Sequence, residues 1–245
     1  MNNKYLEKYL NDLMCIHEFD DYAPNGLQIE GAENISSLII SPSISLKVIE
    51  KAIKTGAQGI LVHHGMFWKN EPRIISGPYK QRLKLLLMEN LNLYAYHLPL
   101  DKLPDYGNNA PVLKDLGMMD IKSFANIGYS GKFESPVECD NFFKILNQYY
   151  ETAGIHLPKN GKIQNVAIVS GNGVYCLQSA IDQGFDAFIT GEGSEWVYNM
   201  AIENNLAFSA MGHYKSECIG VKLIGKHIEE KFNINTEFFM EKNPF

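Results

Sequence analysis

One stretch of this chain is written twice. Ala52-Ile53-Lys54-Thr55-Gly56-Ala57-Gln58-Gly59-Ile60-Leu61-Val62-His63-His64-Gly65 aligns without a gap on Ala180-Ile181-Asp182-Gln183-Gly184-Phe185-Asp186-Ala187-Phe188-Ile189-Thr190-Gly191-Glu192-Gly193. In each copy an amphipathic segment stops at a glycine, and a short apolar run then leads to a polar tip. That is the pattern of a helix, its C-terminal stop and a buried strand. Further on, Glu89-Asn90 ahead of Leu93-Tyr94-Ala95 echoes Glu203-Asn204 ahead of Ala207-Phe208-Ser209. A repeated helix–strand unit can bury both faces of its strand only in a layered α/β sheet. The predicted fold class is therefore α/β, internally duplicated, with mainly parallel or mixed sheets. The first half is read as residues 1–124 and the second as 125–245.

Hydrophobic spacing places the elements. Helices are predicted over 5–14, 46–54, 80–90, 174–182, 195–204 and 220–231. Strands are predicted over 37–41, 59–62, 93–96, 163–169, 187–190 and 207–210, with an edge strand near 237–240. The stretch 125–162 is richer in polar and turn residues and reads as a joint or an added lid.

Composition narrows the function classes. With 245 residues, 45% of them hydrophobic and 20% charged, there is apolar material for a sizeable core. The net charge of −6 argues against a general nucleic-acid or anionic-membrane surface. No apolar run is long enough to span a bilayer, and the first residues lack the apolar region of a secretory signal. Cys15, Cys139, Cys176 and Cys218 form no C-x-x-C pair, so they read as mostly buried structural thiols in a reducing compartment. The expected location is cytoplasmic.

The chemistry gathers at strand ends, where loops diverge and ligands collect in open α/β sheets. His63 and His64 end the second predicted strand. His97 and Asp101 follow the third, four residues apart, and His213 follows the last, with Glu217 four residues on. At that spacing His213 and Glu217 share a helix face. His63 and His64, adjacent on an extended tip, should diverge, which suits two ions better than one. Three imidazoles and two carboxylates form an N/O donor set for Zn, Fe, Mn or Ni, and Glu217 can bridge two ions with its two oxygens. His97 is then the candidate for proton transfer. His17, His156 and His227 sit in helix or loop contexts without acidic partners and read as satisfied polar groups. Trp68, Tyr106, Trp196 and Tyr198 read as packing, and Gly171-Asn172-Gly173 as an ordinary turn. Glu192 is either an orienting partner of a ligand histidine or a solvated acid.

The segments His63-His64-Gly65-Met66-Phe67-Trp68, His97-Leu98-Pro99-Leu100-Asp101 and Gly212-His213-Tyr214-Lys215-Ser216-Glu217 resemble the Nif-three-like family, whose members are often named GTP cyclohydrolase 1 type 2. Asn25-Gly26-Leu27-Gln28 and Thr190-Gly191-Glu192 add to the resemblance, which covers nearly the whole chain apart from 125–162. It implies two intertwined α/β subdomains and two divalent ions per chain (Zn, Fe, Mn, Ni or Mg). Their ligands would be His63, His64, Asp101, His213 and a bridging Glu217. It further implies a homohexameric toroid with the sites facing an internal cavity. Many members carry Pro where this chain has Gly65, and a second His where it has Tyr214.

Two functions are carried forward. One is a metal-dependent hydrolase acting on a small molecule, with the family label suggesting a purine nucleotide and His97 moving the proton. The other is a non-enzymatic, metal-binding regulatory or interaction protein that forms a ring, since no Walker-type loop or arginine cluster marks a triphosphate site. Nucleic acid and membranes are not expected partners.

Overall fold

The computed structural model describes residues 1–69 and 74–245. The chain runs first through α1 (Asn3–Leu13), β1 (Gly26–Ile29), β2 (Ser37–Ser43), α2 (Leu46–Thr55), β3 (Gly59–His64), α3 (Gly77–Met88), β4 (Asn92–Ala95) and α4 (Leu98–Lys102). It continues through α5 (Ala110–Asp115), β5 (Met119–Phe124), β6 (Gly128–Val137), α6 (Cys139–Tyr150), β7 (Ile155–Leu157), β8 (Ile163–Val169), α7 (Leu177–Asp182) and β9 (Ala187–Thr190). The last elements are α8 (Val197–Glu203), β10 (Ala207–Ala210), α9 (His213–Ser216), α10 (Cys218–Phe232) and β11 (Asn235–Phe238). No helix among the described residues is long and apolar enough to cross a membrane.

Two units divide the chain: Met1–Leu100 with Val221–Lys242, and Asp101–Gly220 with Asn243–Phe245. The first holds a mixed sheet in the order β1-β4-β3-β2-β11, in which only β1 is antiparallel to its neighbour. The inner strands β2, β3 and β4 read as largely apolar runs because both faces are covered. Ile60, Leu61 and Val62 are fully buried, each contributing roughly 1.5–3 kcal/mol by leaving water. Ile39, Ile60, Val62 and Leu93 pack in one cluster with Val48, Ile49 and Leu86 of α2 and α3. The Ser45 hydroxyl caps α2 by accepting from the Val48 amide at 3.2 Å, and Gly56 stops it at φ +69°.

The second unit holds a mixed sheet in the order β5-β6-β8-β9-β10-β7, with β8, β9 and β10 parallel and the other three antiparallel. Here the boundary expected at 124/125 moves to 100/101. β5 pairs antiparallel with β6, so residues ahead of 124 belong to this sheet, and Asp101 belongs to the second unit. The chain later returns, and β11 extends the first sheet beside β2. The stretch 125–162 is neither joint nor lid. It supplies β6, α6 and β7, and it reads as polar because β6 exposes much of its length.

The duplication reaches individual hydrogen bonds. β2-α2-β3-α3-β4 and β8-α7-β9-α8-β10 have the same order and register, Leu38 opposite Gly59 in one and Val166 opposite Ala187 in the other. Gly184 repeats Gly56 at φ +71°. Gln58 Oε1 accepts from the amides of Ser36 and Ser37, and its counterpart Asp186 accepts through Oδ2 from Gln164 and Asn165. The Glu-Asn echo is corrected by one residue. Asn90 and Asn205, at φ +52° and +51°, each stand two positions ahead of their strand, so Asn90 corresponds to Asn205 and not to Asn204.

Candidate metal centre

In the first unit, β3 delivers His63 and His64, and the turn after β4 delivers His97. Each offers a nitrogen, and the three atoms lie within 4.8 Å of one another, so the group could hold a metal ion. The ring centroids of His63 and His64 are 4.6 Å apart. The expected divergence of the pair is therefore small, although both residues lie within β3. His63 is buried, and its Nδ1 lies 2.9 Å from the Tyr96 carbonyl. A carbonyl only accepts, so Nδ1 carries the proton and Nε2 carries the lone pair that a metal would take. His64 Nδ1 lies 3.0 Å from the Ser43 hydroxyl.

His97 has a partner that pattern reading missed. Its Nδ1 donates to Asp21 Oδ1 at 2.9 Å, with both side chains buried. The Asp21 carboxylate also accepts from the amides of Ala23 (3.1 Å) and Leu98 (2.9 Å) and from Asn25 Nδ2 (3.0 Å). Burial alone would raise its pKa; the hydrogen bonds from His97, Asn25 and Ala23 outweigh that and bring it down to about 2. Asn25 Oδ1 accepts from the His97 amide at 2.7 Å, so the Asn25-Gly26-Leu27-Gln28 segment braces this tip. Gln28 accepts from the Met66 amide at 2.8 Å and fills the space beside Gly65, where any Cβ would collide with its amide. Glycine at 65, in place of the family's frequent proline, makes room for that contact. Tyr22 and Trp68 wall the tip, with ring centroids 4.8 and 5.3 Å from His97.

In the second unit, α4 carries Asp101, which is buried and accepts through Oδ1 from Asn108 Nδ2 and Ser170 Oγ, both at 2.8 Å. His213 opens α9 and Glu217 closes it, so the i, i+4 pairing holds: Nε2 meets Glu217 Oε2 at 3.2 Å. His213 Nδ1 meets Glu192 Oε1 at 2.5 Å, which makes Glu192 an orienting partner while its side chain stays partly in solvent. The Gly171 turn is more than ordinary. Its φ is +59°, and a Cβ there would run into Glu217 Oε1. Buried carboxylates and imidazoles without thiolates suit a hard-to-borderline divalent ion.

With carboxylates at both nitrogens, His213 holds both protons in the metal-free protein. Burial lowers its pKa, but hydrogen bonding and charge from Glu217 and Glu192 prevail and raise it to about 9. The stabilisation is fully present below pH ~6.5, the unfolded value, and is lost as pH rises through about 9. The side chain is 28% exposed, so solvent screening leaves on the order of 2 kcal/mol. Urea unfolding of chelated protein at pH 6 and pH 9.5 should show the wild type losing that much more than His213→Gln; parallel losses would refute the assignment.

The remaining candidates lie elsewhere. His156 bonds Ser209 and Asn147, each at 2.9 Å, and stacks on Phe143. His227 stacks on Tyr9, and His17 is exposed on the turn after α1. Cys176 and Cys218 are buried, whereas Cys15 and Cys139 are half-buried; all four are free thiols. Trp196 and Tyr198 are exposed and do not serve as core packing.

A model of the Duf34/NIF3 (NGG1p interacting factor 3) family matches residues 1–244. A GTP cyclohydrolase 1 type 2 homolog of Yersinia pestis is 37% identical over 246 residues, and one of Chlamydia pneumoniae 36% over 252; every chain is covered in full. Among solved structures, the structural-genomics protein ybgI, of unknown function, superposes with TM-score 0.96 at 33% identity, with full coverage of both chains. The protein TTHA1606 from Thermus thermophilus does so with TM-score 0.92 at 28% identity, again over all of both chains.

Proposed function

Because this chain belongs to the Duf34/NIF3 family, we propose that it is a divalent-metal protein that hydrolyses a small-molecule substrate. His63, His64, Asp101, His213 and Glu217 are the proposed ligands of two ions, with Glu217 bridging. The observation that carries the reading is the imidazole cluster at the β3 tip, where nitrogens of the proposed ligands His63 and His64 and of the proposed proton carrier His97 lie within 4.8 Å of one another. Support also comes from Asp101 and Glu217, carboxylates buried within their own unit. Two divalent ions held there would supply Lewis acidity and lower the pKa of a bound water.

The chain's own groups do the rest. The Tyr96 carbonyl holds His63 in the tautomer whose lone pair is on Nε2. Asp21 does the same for His97, whose Nε2 then takes a proton from the attacking water or returns one to the leaving group. Glu192 orients His213, and Gly171 leaves room for the Glu217 carboxylate. The names of the relatives suggest a purine nucleotide as substrate. A non-enzymatic role keeps one observation in its favour: the chain has only two arginines, Arg73 and Arg82, a sparse supply for a triphosphate.

Metal analysis of untagged protein tests the centre. Two ions per chain are expected, with Glu217→Gln lowering occupancy at both positions and His64→Ala mainly at one. Equal single-ion loading of wild type and both variants would sink the dinuclear reading. Under the same proposal the cytoplasmic chain assembles as a homohexameric ring, and light scattering at micromolar concentration should give six times the 27.7 kDa chain mass; a monomer would remove the ring.

A further inference from the structure

A cleft of about 520 Å³ opens in the second unit, with Glu192 and His213 among its lining residues. That volume is in the range that holds a small molecule. One wall is apolar: Ala153 and Ile155 on the approach to and start of β7, Met211 after β10, and Phe245. Ile155 is 69% exposed and Phe245 78%, so two large apolar side chains stand in water at the rim of one cavity. Gly154 lets the wall close up, since a Cβ there would lie 2.6 Å from Met211 Sδ. The polar side carries both signs of charge. The Glu192 carboxylate is matched by His213. Lys215 lines the cleft, and its ammonium takes part in none of the ion pairs or hydrogen bonds of the described residues. The Gly193 amide, also at the cleft, enters no backbone hydrogen bond among the described residues.

One uncommitted ammonium and one uncommitted N–H beside an apolar wall call for a ligand with an anionic head and a flat apolar body. Lysine serves phosphate well as a mobile point charge, and an aromatic ring can cover the exposed Ile155 and Phe245 side chains. We infer that this cleft binds an aromatic phosphate monoester, with its phosphate at Lys215 and the Gly193 amide and its ring against Ile155 and Phe245. That the ester is the substrate rests on the hydrolase reading above; that it binds does not.

Metal-free, full-length protein is titrated with phenyl phosphate while the methyl signals of Ala153, Ile155 and Met211 are followed by NMR. Those three should shift together. Lys215→Met should weaken binding about tenfold, the loss of one charge-assisted contact. Ile155→Trp, which fills the cleft from an exposed position and spares the fold, should abolish it. Inorganic phosphate and benzoate, run as separate arms, should each bind more weakly than the ester. Affinity unchanged in both variants, or shifts elsewhere only, would overturn the site. Equal binding of inorganic phosphate or benzoate would overturn the ligand class. Binding without turnover by the metal-loaded protein would uphold the cleft and count against the hydrolase reading alone.

Discussion

Gly171→Ala is expected to lower stability by about 3 kcal/mol and to strip metal from the protein. The residue sits at φ +59°, in the left-handed region, where a Cβ adds roughly 1–2 kcal/mol of strain. The larger effect is local crowding, because that Cβ would occupy the space of Glu217 Oε1 and approach His213 Nε2 to 3.3 Å. The backbone cannot retreat. The Gly171 carbonyl accepts from the amides of Gly191 and Glu192 and from the Thr190 hydroxyl, and its amide approaches Ser216 Oγ at 2.9 Å. The carboxylate must therefore move, and Glu217 is 3% exposed, so it would leave a buried partner behind. Urea unfolding and metal analysis check this together. A variant within about 0.5 kcal/mol of wild type and fully loaded would show that Glu217 can be displaced freely, and its role as bridging ligand would fall.

His97→Ala should cut turnover of the metal-loaded protein by about 10²–10⁴-fold, the usual worth of positioned proton transfer, while metal content stays at the wild-type level. Asp21→Asn should lower the rate through His97 and, separately, destabilise the fold by about 2–4 kcal/mol. The reason is donor arithmetic. Asp21 accepts from Ala23, Asn25, His97 and Leu98, and an amide in its place would set an NH2 group against at least one donor. Long-range proton–nitrogen NMR on His97 would show the Nδ1–H form in wild type and a tautomer mixture in Asp21→Asn. If His97→Ala loses metal along with activity, His97 is a ligand, as its place in the three-nitrogen group permits, and the proton-transfer role is wrong.

Much of the fold was legible because apolar periodicity and glycine stops act locally. The helix over 46–54, its stop at Gly56 and the strand that ends at His64 follow from residues within a few positions of one another. β6 was not legible, since beyond Gly131 only Phe133 is buried and Lys132, Glu134, Ser135 and Pro136 are exposed. Of the site, the histidines and acids at strand tips could be named in advance because ligand-type residues are rare there. Asp21, Asn108, Ser170 and Gly171 could not. Each is an ordinary loop residue by pattern, and each matters only through a partner 7 to 76 positions away.

What the amino-acid order alone determined was the alternation of helix and strand, its duplication, and the residue types offered to a ligand. Those properties depend on side-chain chemistry and short-range spacing. Tertiary structure decided the tautomers of His63 and His97, the charge on His213, the pairing of Glu192 and the return of β11 to the first sheet. Each of these depends on which buried polar atom lies within hydrogen-bond reach of another. Chain segments far apart in sequence acquire that proximity only when their apolar faces have packed.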